Sequence, residues 1–182
     1  NQRYYRSGDY PMKHCMERFA KIRLVAMDVD GTLTDGKIYV GSQGEVMKAF
    51  HVRDGYRLVQ CPQRGIITAI ITGRESEIVA FRSRELHITE VRQGVRDKRP
   101  VLEELMRQYQ CAPEEVLYIG DDCSDLTCME LCGISACPSD ADPTVRRQAD
   151  YVCAARGGEG AVREVLDLLF DAKEAVQSSA AM

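Results

Sequence analysis

Two aspartates separated by one residue follow a short apolar segment near the start of the chain. Asp28 and Asp30 come directly after residues 23–27, a run typical of a buried parallel strand. Active sites of open α/β sheets lie at the carboxyl ends of strands, and side chains two residues apart point to the same side of a strand. Because carboxylates this close raise each other's pKa, the pair predicts a site that binds a metal cation, shares a proton, or does both.

Three further polar groups are spaced along the chain so that they can join this pair. If the strands that precede them are neighbours in one sheet, all the groups meet at one edge of that sheet. The groups are Thr72 and Gly73 after the apolar run 65–71, Lys98 at the start of a segment with helical periodicity, and Asp121, Asp122 and Asp125 after the apolar run 116–119.

This set of residue types suits phosphoryl transfer. Mg²⁺ prefers carboxylate oxygens such as those of Asp28 and Asp121. The cation would reduce the electrostatic repulsion between the Asp28 carboxylate and the phosphate that Asp28 must approach. Thr72, the Gly73 amide and Lys98 can hold the other phosphate oxygens. A carboxylate anchored by a metal is a competent nucleophile, and a second carboxyl two residues on can protonate the leaving alkoxide and then take a proton from water.

Each group alone also has a purely structural interpretation. An aspartate pair after a strand can cap a turn, and Thr72-Gly73 can be an ordinary strand-to-helix turn. A lone lysine such as Lys98 is usually a solvated surface residue. The order and spacing of all four groups together favour the catalytic interpretation.

The segments around these groups alternate between strand and helix patterns. The alternation predicts βαβ units and an α/β fold of the Rossmann-like, three-layer α/β/α type with a mostly parallel sheet. Two β-prone runs around residues 41–44 predict a hairpin insertion after the first strand, and no insertion is long enough for a cap domain. We expect strands at 22–28, 37–40, 45–50, 65–71, 88–91, 116–119, 134–136 and 151–153, and helices at 55–63, 76–86, 98–109, after 122, and at 160–170.

The same patterns divide the chain into three parts. We expect residues 1–20 to be a polar, partly helical N-terminal extension and residues 21–170 to form one α/β domain that carries the candidate site. Residues 171–182 are a C-terminal tail that frays into Ser and Ala.

Composition narrows the possible partners and the compartment. The 182 residues are 45% hydrophobic and 29% charged, as in an ordinary globular protein. The net charge of -4 argues against a nucleic-acid partner, which usually requires a basic surplus. No apolar run is long enough to cross a bilayer, and the first residues lack the apolar centre of a signal peptide, so we expect a cytoplasmic protein without a membrane partner.

The chain has eight cysteines, and none of them forms a Cys-x-x-Cys pair. Several lie in apolar stretches, as free buried cysteines do, so reduced thiols are the main expectation. The alternatives are disulfides and a metal site from Cys123, Cys128, Cys132 and Cys137, although their spacing is not that of zinc sites.

The combination of motifs resembles the haloacid dehalogenase-like phosphatase superfamily. The first motif is 28–34 (Asp-Val-Asp-Gly-Thr-Leu-Thr), Thr72 is the second, Lys98 the third, and 120–125 (Gly-Asp-Asp-Cys-Ser-Asp) the fourth. The resemblance implies that Asp28 is the nucleophile and Asp30 the acid/base of a reaction through an aspartyl-phosphate. It further implies that Mg²⁺ is held by Asp28, the Asp30 carbonyl and Asp121, and that Asp122 and Asp125 support the metal waters and Lys98.

A narrower resemblance runs from about residue 21 to residue 170, outside the four motifs as well as within them. This pattern looks like the capless branch of 3-deoxy-D-manno-octulosonate 8-phosphate phosphatases and their sialic-acid and deoxynononate 9-phosphate relatives. It implies a Mg²⁺-dependent phosphomonoesterase whose substrate is a phosphorylated 2-keto-3-deoxy sugar acid and whose product leads to cell-surface glycans. The segments that carry it are Thr34-Asp35-Gly36, the hairpin, 52–55 (Val-Arg-Asp-Gly), Ile71-Thr72-Gly73-Arg74, Gln93-Gly94, Asp97-Lys98 and 157–164 (Gly-Gly-Glu-Gly-Ala-Val-Arg-Glu).

Two positions depart from that branch. Ser124 lies where many relatives carry Asn or Pro, and Glu159 lies where octulosonate phosphatases usually carry Arg. In having an acid at position 159, the chain resembles the phosphatases of nine-carbon sugar acids. Arg74 has a guanidinium group, which suits a substrate carboxylate. The octulosonate 8-phosphate is the first expectation, and the deoxynononate or N-acylneuraminate 9-phosphate is the alternative.

The resemblance also implies a homotetramer. In that family the hairpins join at the centre, and a neighbouring subunit helps to close each site, so the hairpin is interpreted as an assembly device. The alternative is a plain surface ribbon. A non-catalytic alternative is the oligomerisation module that related domains form at the end of cytidylyltransferases, but intact Asp28 and Asp30 argue against a degenerate site.

Overall fold

A computed structural model describes residues 12–180, and a six-stranded parallel sheet forms its centre. The remaining parts of the predicted extension and tail, 1–11 and 181–182, lie outside the described residues. The sheet has the order β5-β4-β1-β6-β7-β8, and every neighbouring pair is parallel. Its strands are β1 (Leu24–Met27), β4 (Ile67–Ile71), β5 (Glu90–Arg92), β6 (Val116–Ile119), β7 (Ile134–Cys137) and β8 (Tyr151–Val152), and a separate hairpin consists of β2 (Tyr39–Gly41) and β3 (Gly44–Met47).

Helices cover both faces of this sheet, each over its own hydrophobic core. Alternate side chains of β1 supply the two cores, with Val25 and Met27 on one side and Leu24 and Ala26 on the other. The first core is covered by α1 (Met12–Ala20), α2 (Val52–Leu58), α3 (Glu77–Glu85) and α7 (Ala161–Ala180), and the second by α4 (Lys98–Gln108), α5 (Leu126–Leu131) and α6 (Pro143–Gln148). The predicted three-layer α/β fold is confirmed.

Strand β1 lies at the point where the direction of the chain through the sheet reverses. The chain passes from β1 to β4 and β5 on one side, then returns to β6, β7 and β8 on the other. The residues that follow β1 and β6 therefore border a crevice at the carboxyl ends of the strands, where ligands of such sheets bind.

The helix that follows the hairpin starts three residues earlier than the sequence predicted. Helix α2 begins at Val52 because the His51 side chain accepts a hydrogen bond from the Arg53 amide and so caps the first turn. The prediction of 55–63 gave no weight to a histidine as an N-cap.

The closing helix is longer than the predicted 160–170. Helix α7 continues to Ala180, since Ala172 is fully buried and the Lys173 ammonium donates to the Ala20 carbonyl at the end of α1. Much of the predicted tail is therefore helical. No helix within residues 12–180 combines the length and the apolarity needed to span a bilayer.

Helix α6 had no counterpart in the sequence prediction. Its start is set by Asp142, which accepts a hydrogen bond from the Thr144 amide, and by Pro143 at the first helical position. The helix is six residues long, too short for a clear apolar period.

All eight cysteines lie within the described residues and are free thiols. Cys61, Cys128 and Cys137 are buried, and burial raises the pKa of each thiol to about 12. Within residues 12–180, the acid and thiol groups placed closely enough to bind a metal do not include the four-cysteine set that the sequence left open.

Candidate active site

Two carboxylates face each other across the crevice between β1 and β6. Met27 at the end of β1 pairs with Ile119 at the end of β6. Asp28 follows this pair by one residue and Asp121 follows it by two. The Thr32 hydroxyl donates to Asp121 Oδ1 at 3.1 Å and orients that carboxylate. Gly31 allows the approach, because a Cβ there would come within 2.0 Å of Asp121 Oδ2.

A buried lysine joins this pair from the neighbouring helix. The Lys98 ammonium at the start of α4 lies 3.1 Å from Asp28 Oδ1 and 2.7 Å from Asp125 Oδ1, and the Lys98 side chain is only 3% exposed. The sequence alone would place a single lysine on the surface, but this one has two buried anionic partners. Asp28, Lys98, Asp121 and Asp125 are thus brought together.

Asp125 is occupied by donors on both of its oxygens. Oδ1 accepts from Lys98 and from the Tyr118 hydroxyl, each at 2.7 Å, and Oδ2 accepts from the amides of Asp121 and Asp122. Asp125 therefore fixes Lys98 and the 121–122 turn, and it has little capacity left for a metal. Asp122 is exposed and accepts from the Cys123 amide.

The crevice concentrates negative charge. Burial, reinforced by the Asp125 charge, raises the pKa of Asp28 to about 6, although Lys98 opposes this shift. Burial, followed by the charges of Asp28 and Asp125, raises the pKa of Asp121 to about 7. Burial alone would lower the pKa of Lys98, but the Asp125 and Asp28 carboxylates raise it above its usual value.

These residues fit a divalent cation. Carboxylate oxygens of Asp28, Asp121 and Asp125 all lie within 4.8 Å of one another, and the first two have raised pKa values that a nearby cation would lower. An all-oxygen donor set with only two available carboxylates suits Mg²⁺, which keeps several of its waters.

Thr72 borders the crevice from the other side of β1. It directly follows β4, its side chain is buried, and its backbone is fixed by the Arg92 carbonyl and the Val95 amide. Gly73 and Arg74 come next and are exposed. Arg74 Nε lies 4.0 Å from Asp30 Oδ2, so the guanidinium reaches the same crevice.

The Asp30 side of the site contains residues that the sequence analysis missed. Lys48, just after β3, donates to Asp30 Oδ1 and lies 2.8 Å from Glu45 Oε1. Glu45 Oε2 accepts from the hydroxyl of Ser76. The spacing Glu45-x-x-Lys48 was the available signal, but only the fold shows that the hairpin returns to the crevice.

Glu159 lies in a glycine-rich loop packed against the first motif. A Cβ on Gly157 would come within 1.9 Å of the Gly31 carbonyl oxygen, and Gly158, at φ +69°, donates to the Thr32 carbonyl. These glycines are required by close backbone approach. The Glu159 side chain itself is exposed.

Residues 71–166 match the model of the haloacid dehalogenase-like hydrolase family. This segment is more than half of the chain and includes Thr72, Lys98 and Asp121. The chain belongs to the haloacid dehalogenase-like hydrolases, as the motifs had indicated.

Individual relatives show which phosphatases within this family the chain is similar to. The chain is 47% identical over 148 residues to the 3-deoxy-D-manno-octulosonate 8-phosphate phosphatase KdsC of Escherichia coli K12, covering 81% of this chain and 79% of the relative. The crystal structure of the Yersinia pestis phosphatase of the same name superposes with a TM-score of 0.86 at 45% identity, covering 90% and 88%. That of the Moraxella catarrhalis phosphatase, in complex with magnesium, phosphate and KDO, gives 0.87 at 39% identity, covering 93% and 98%.

Proposed function

We propose that this protein is a Mg²⁺-dependent phosphatase that hydrolyses 3-deoxy-D-manno-octulosonate 8-phosphate through an aspartyl-phosphate. The observation that carries the proposal is the convergence of Asp28, Lys98 and Asp121 at the switch point of the sheet. It occurs in a chain that aligns over most of its length with phosphatases named for that substrate.

The residues divide the reaction between them. Asp28 attacks phosphorus, and Lys98, 3.1 Å from Asp28, neutralises negative charge on the phosphoryl oxygens as the sugar oxygen leaves. Asp30 gives a proton to that oxygen and then takes one from the water that hydrolyses the aspartyl-phosphate. Thr72 borders the phosphate from the β4 side.

Asp28, the Asp30 carbonyl and Asp121 would hold Mg²⁺, with Asp122 beside them. When bound, the cation supplies positive charge that lets a phosphate dianion approach the Asp28 carboxylate. Asp125 acts through Lys98, because its own oxygens are engaged by four donors.

The eight-carbon substrate is supported by the names of the relatives. The nine-carbon alternative rests on Glu159, whose side chain is exposed in the glycine-rich loop. Comparing kcat/KM for the octulosonate 8-phosphate and the deoxynononate and neuraminate 9-phosphates, with Mg²⁺ and with EDTA, tests the proposal. Failure of the folded protein to hydrolyse any of the three with Mg²⁺ would refute it.

The assembly is also proposed to be a homotetramer in which the hairpins meet and a neighbour completes each site. Val40, Val46 and Met47 on the hairpin are 70%, 59% and 56% exposed. An isolated two-stranded sheet with an apolar surface is marginal in water, so burial against other copies would stabilise it. Free thiols at all eight cysteines support a reducing compartment, which we propose to be the cytoplasm.

A further inference from the structure

A lysine outside the four motifs is buried against the acid/base side of the crevice. Lys48 follows strand β3, and its side chain is 1% exposed. Its ammonium donates to Asp30 Oδ1 and lies 2.8 Å from Glu45 Oε1. A buried ammonium between two carboxylates is held firmly, because moving it from either partner leaves a charge unpaired.

The second partner of Lys48 is itself fixed to the main fold. Glu45 Oε2 accepts from the Ser76 hydroxyl, and the Ser76 hydroxyl caps α3 by accepting from the Val79 amide. A continuous series of contacts therefore runs from α3 through the hairpin to Asp30. Its effect is to tie the orientation of the Asp30 carboxyl to a rigid helix.

The two oxygens of Asp30 consequently have different surroundings. Oδ1 accepts a hydrogen bond from Lys48, whereas Oδ2 accepts none from residues 12–180, and Arg74 Nε lies 4.0 Å from it, beyond hydrogen-bond distance. We propose that Lys48 is a positioning residue that occupies Oδ1 and leaves Oδ2 as the oxygen that exchanges protons with the leaving group and water. This inference rests on the proposed function and adds a residue to it.

Both chemical steps use that oxygen. In the first, the bond from Asp28 to phosphorus forms, the bond from phosphorus to the sugar oxygen breaks, and the Oδ2 proton moves to the sugar oxygen. In the second, water attacks phosphorus, the bond from Asp28 to phosphorus breaks, and Oδ2 takes a water proton. Without Lys48 the carboxyl can rotate, and proton transfer of this kind contributes about 10²–10⁴-fold to a rate.

The test compares two esters that differ in their need for a proton. The alkoxide of the octulosonate 8-phosphate needs one to leave, whereas the phenolate of p-nitrophenyl phosphate does not. Lys48→Met keeps the apolar stem and removes the ammonium. Lys37→Met is the matched control, because Lys37 precedes the same hairpin with a side chain that is 72% exposed.

The quantity measured is the pre-steady-state release of the alcohol at saturating Mg²⁺. For Lys48→Met we expect about a 100-fold slower release from the sugar ester and less than about a tenfold loss with the aryl ester. KM should change little for either ester, Lys48→Arg should recover part of the rate, and Lys37→Met should match the wild type. Equal losses with the two esters, or no loss with the sugar ester, would overturn the positioning role.

A second variant covers the case in which Lys48→Met does not fold. Glu45→Gln weakens the anchor of Lys48 without removing the lysine, so it should reproduce the ester preference at about tenfold, and an equal effect on both esters would contradict the proposal. The wild type is measured first. If it hydrolyses neither ester the proposed function fails, whereas wild-type turnover with ester-independent losses refutes only the role of Lys48.

Discussion

The two sides of the crevice are built in different ways. On the nucleophile side, Asp28 follows β1, Lys98 begins α4 and Asp125 lies directly before α5, and Asp125 is 0% exposed. On the acid/base side, Asp30 and Glu45 surround Lys48, and their side chains are 19% and 13% exposed. Each side thus has one buried lysine between two carboxylates, one set in the core and the other supplied by the hairpin.

Because of this difference, a substitution should cost more stability on the nucleophile side than on the acid/base side. Charges fixed by the core are costly to disturb, because Asp125 is fully buried and cannot be hydrated once its cation is removed. The carboxylates around Lys48 are partly hydrated, so the hairpin side can be altered at a smaller cost to the fold. The side that we propose to bind phosphate is the one that the core fixes.

The largest effect should come from removing the nucleophile. Asp28→Asn should lower kcat by about 10⁴-fold or more, the order of loss found when a nucleophile is deleted. Folding should be retained, because the change keeps the shape and relieves repulsion with Asp121 and Asp125. Phosphate release and thermal unfolding measure the two effects, with the exposed Asp171→Asn as the control. Turnover near that of the wild type would exclude the covalent mechanism.

The two lysines should differ in what their loss does to stability. Lys98→Met leaves Asp125 buried without its cation and should lower the free energy of unfolding by about 3–5 kcal/mol, with kcat reduced by about 10²–10³-fold. Lys48→Met should cost about 2 kcal/mol or less, since its partners can be hydrated. Urea unfolding of both variants at the same pH measures the two free energies of unfolding. Equal losses of stability would remove the distinction between the two sides.

Metal binding should depend on pH through the nucleophile side. The raised pKa values of Asp28 and Asp121, about 6 and about 7, mean that the metal-free folded state holds protons that the unfolded state releases. Their contribution to stability is therefore present below about pH 4 and is lost as pH rises through 7, where Mg²⁺ can replace the protons. Stabilisation by Mg²⁺ at about 100 times its Kd should be about 2.7 kcal/mol at pH 8 and nearly absent at pH 5. The same thermal shift at both pH values would contradict this.

The smallest effect on chemistry should come from the exposed face of the hairpin. Val46→Asp places a charge on a surface that is 59% exposed in the isolated subunit and buried in the proposed tetramer. We expect dissociation to smaller species by light scattering and about a tenfold lower kcat/KM, which corresponds to about 1.4 kcal/mol. Val176→Asp, at an exposed position on α7, is the matched control. An unchanged mass would count against assembly through the hairpin.

The nucleophile side was predictable from the sequence because it follows from strand ends. Apolar runs fix where β1, β4 and β6 end, and parallel pairing then brings the following residues to one edge. The motif spacing identified Lys98 and Asp125 as well. The fold class followed from the same alternation of strands and helices.

The acid/base side was not predictable in the same way. The contact of Lys48 with Asp30 depends on how the hairpin folds back over the crevice, and no local pattern specifies that direction. The extent of α7 had a similar cause, because its last turns are stabilised by contacts with α1 and with Arg64, which pairs with Glu174. Tertiary contacts decided both features.

The central place of β1 in the sheet bears on how the protein is synthesised. It is the first of the described strands to be translated, yet its hydrogen-bonded neighbours β4 and β6 are both translated later. Its four buried residues lack the β4 partner until residue 70 has been made and the β6 partner until residue 119 has been made, and the loop at Gly157 that packs on Gly31 comes later still. A prematurely terminated chain would therefore expose an apolar strand. Chaperones and proteases would bind such a chain, and it would not act as a slower enzyme.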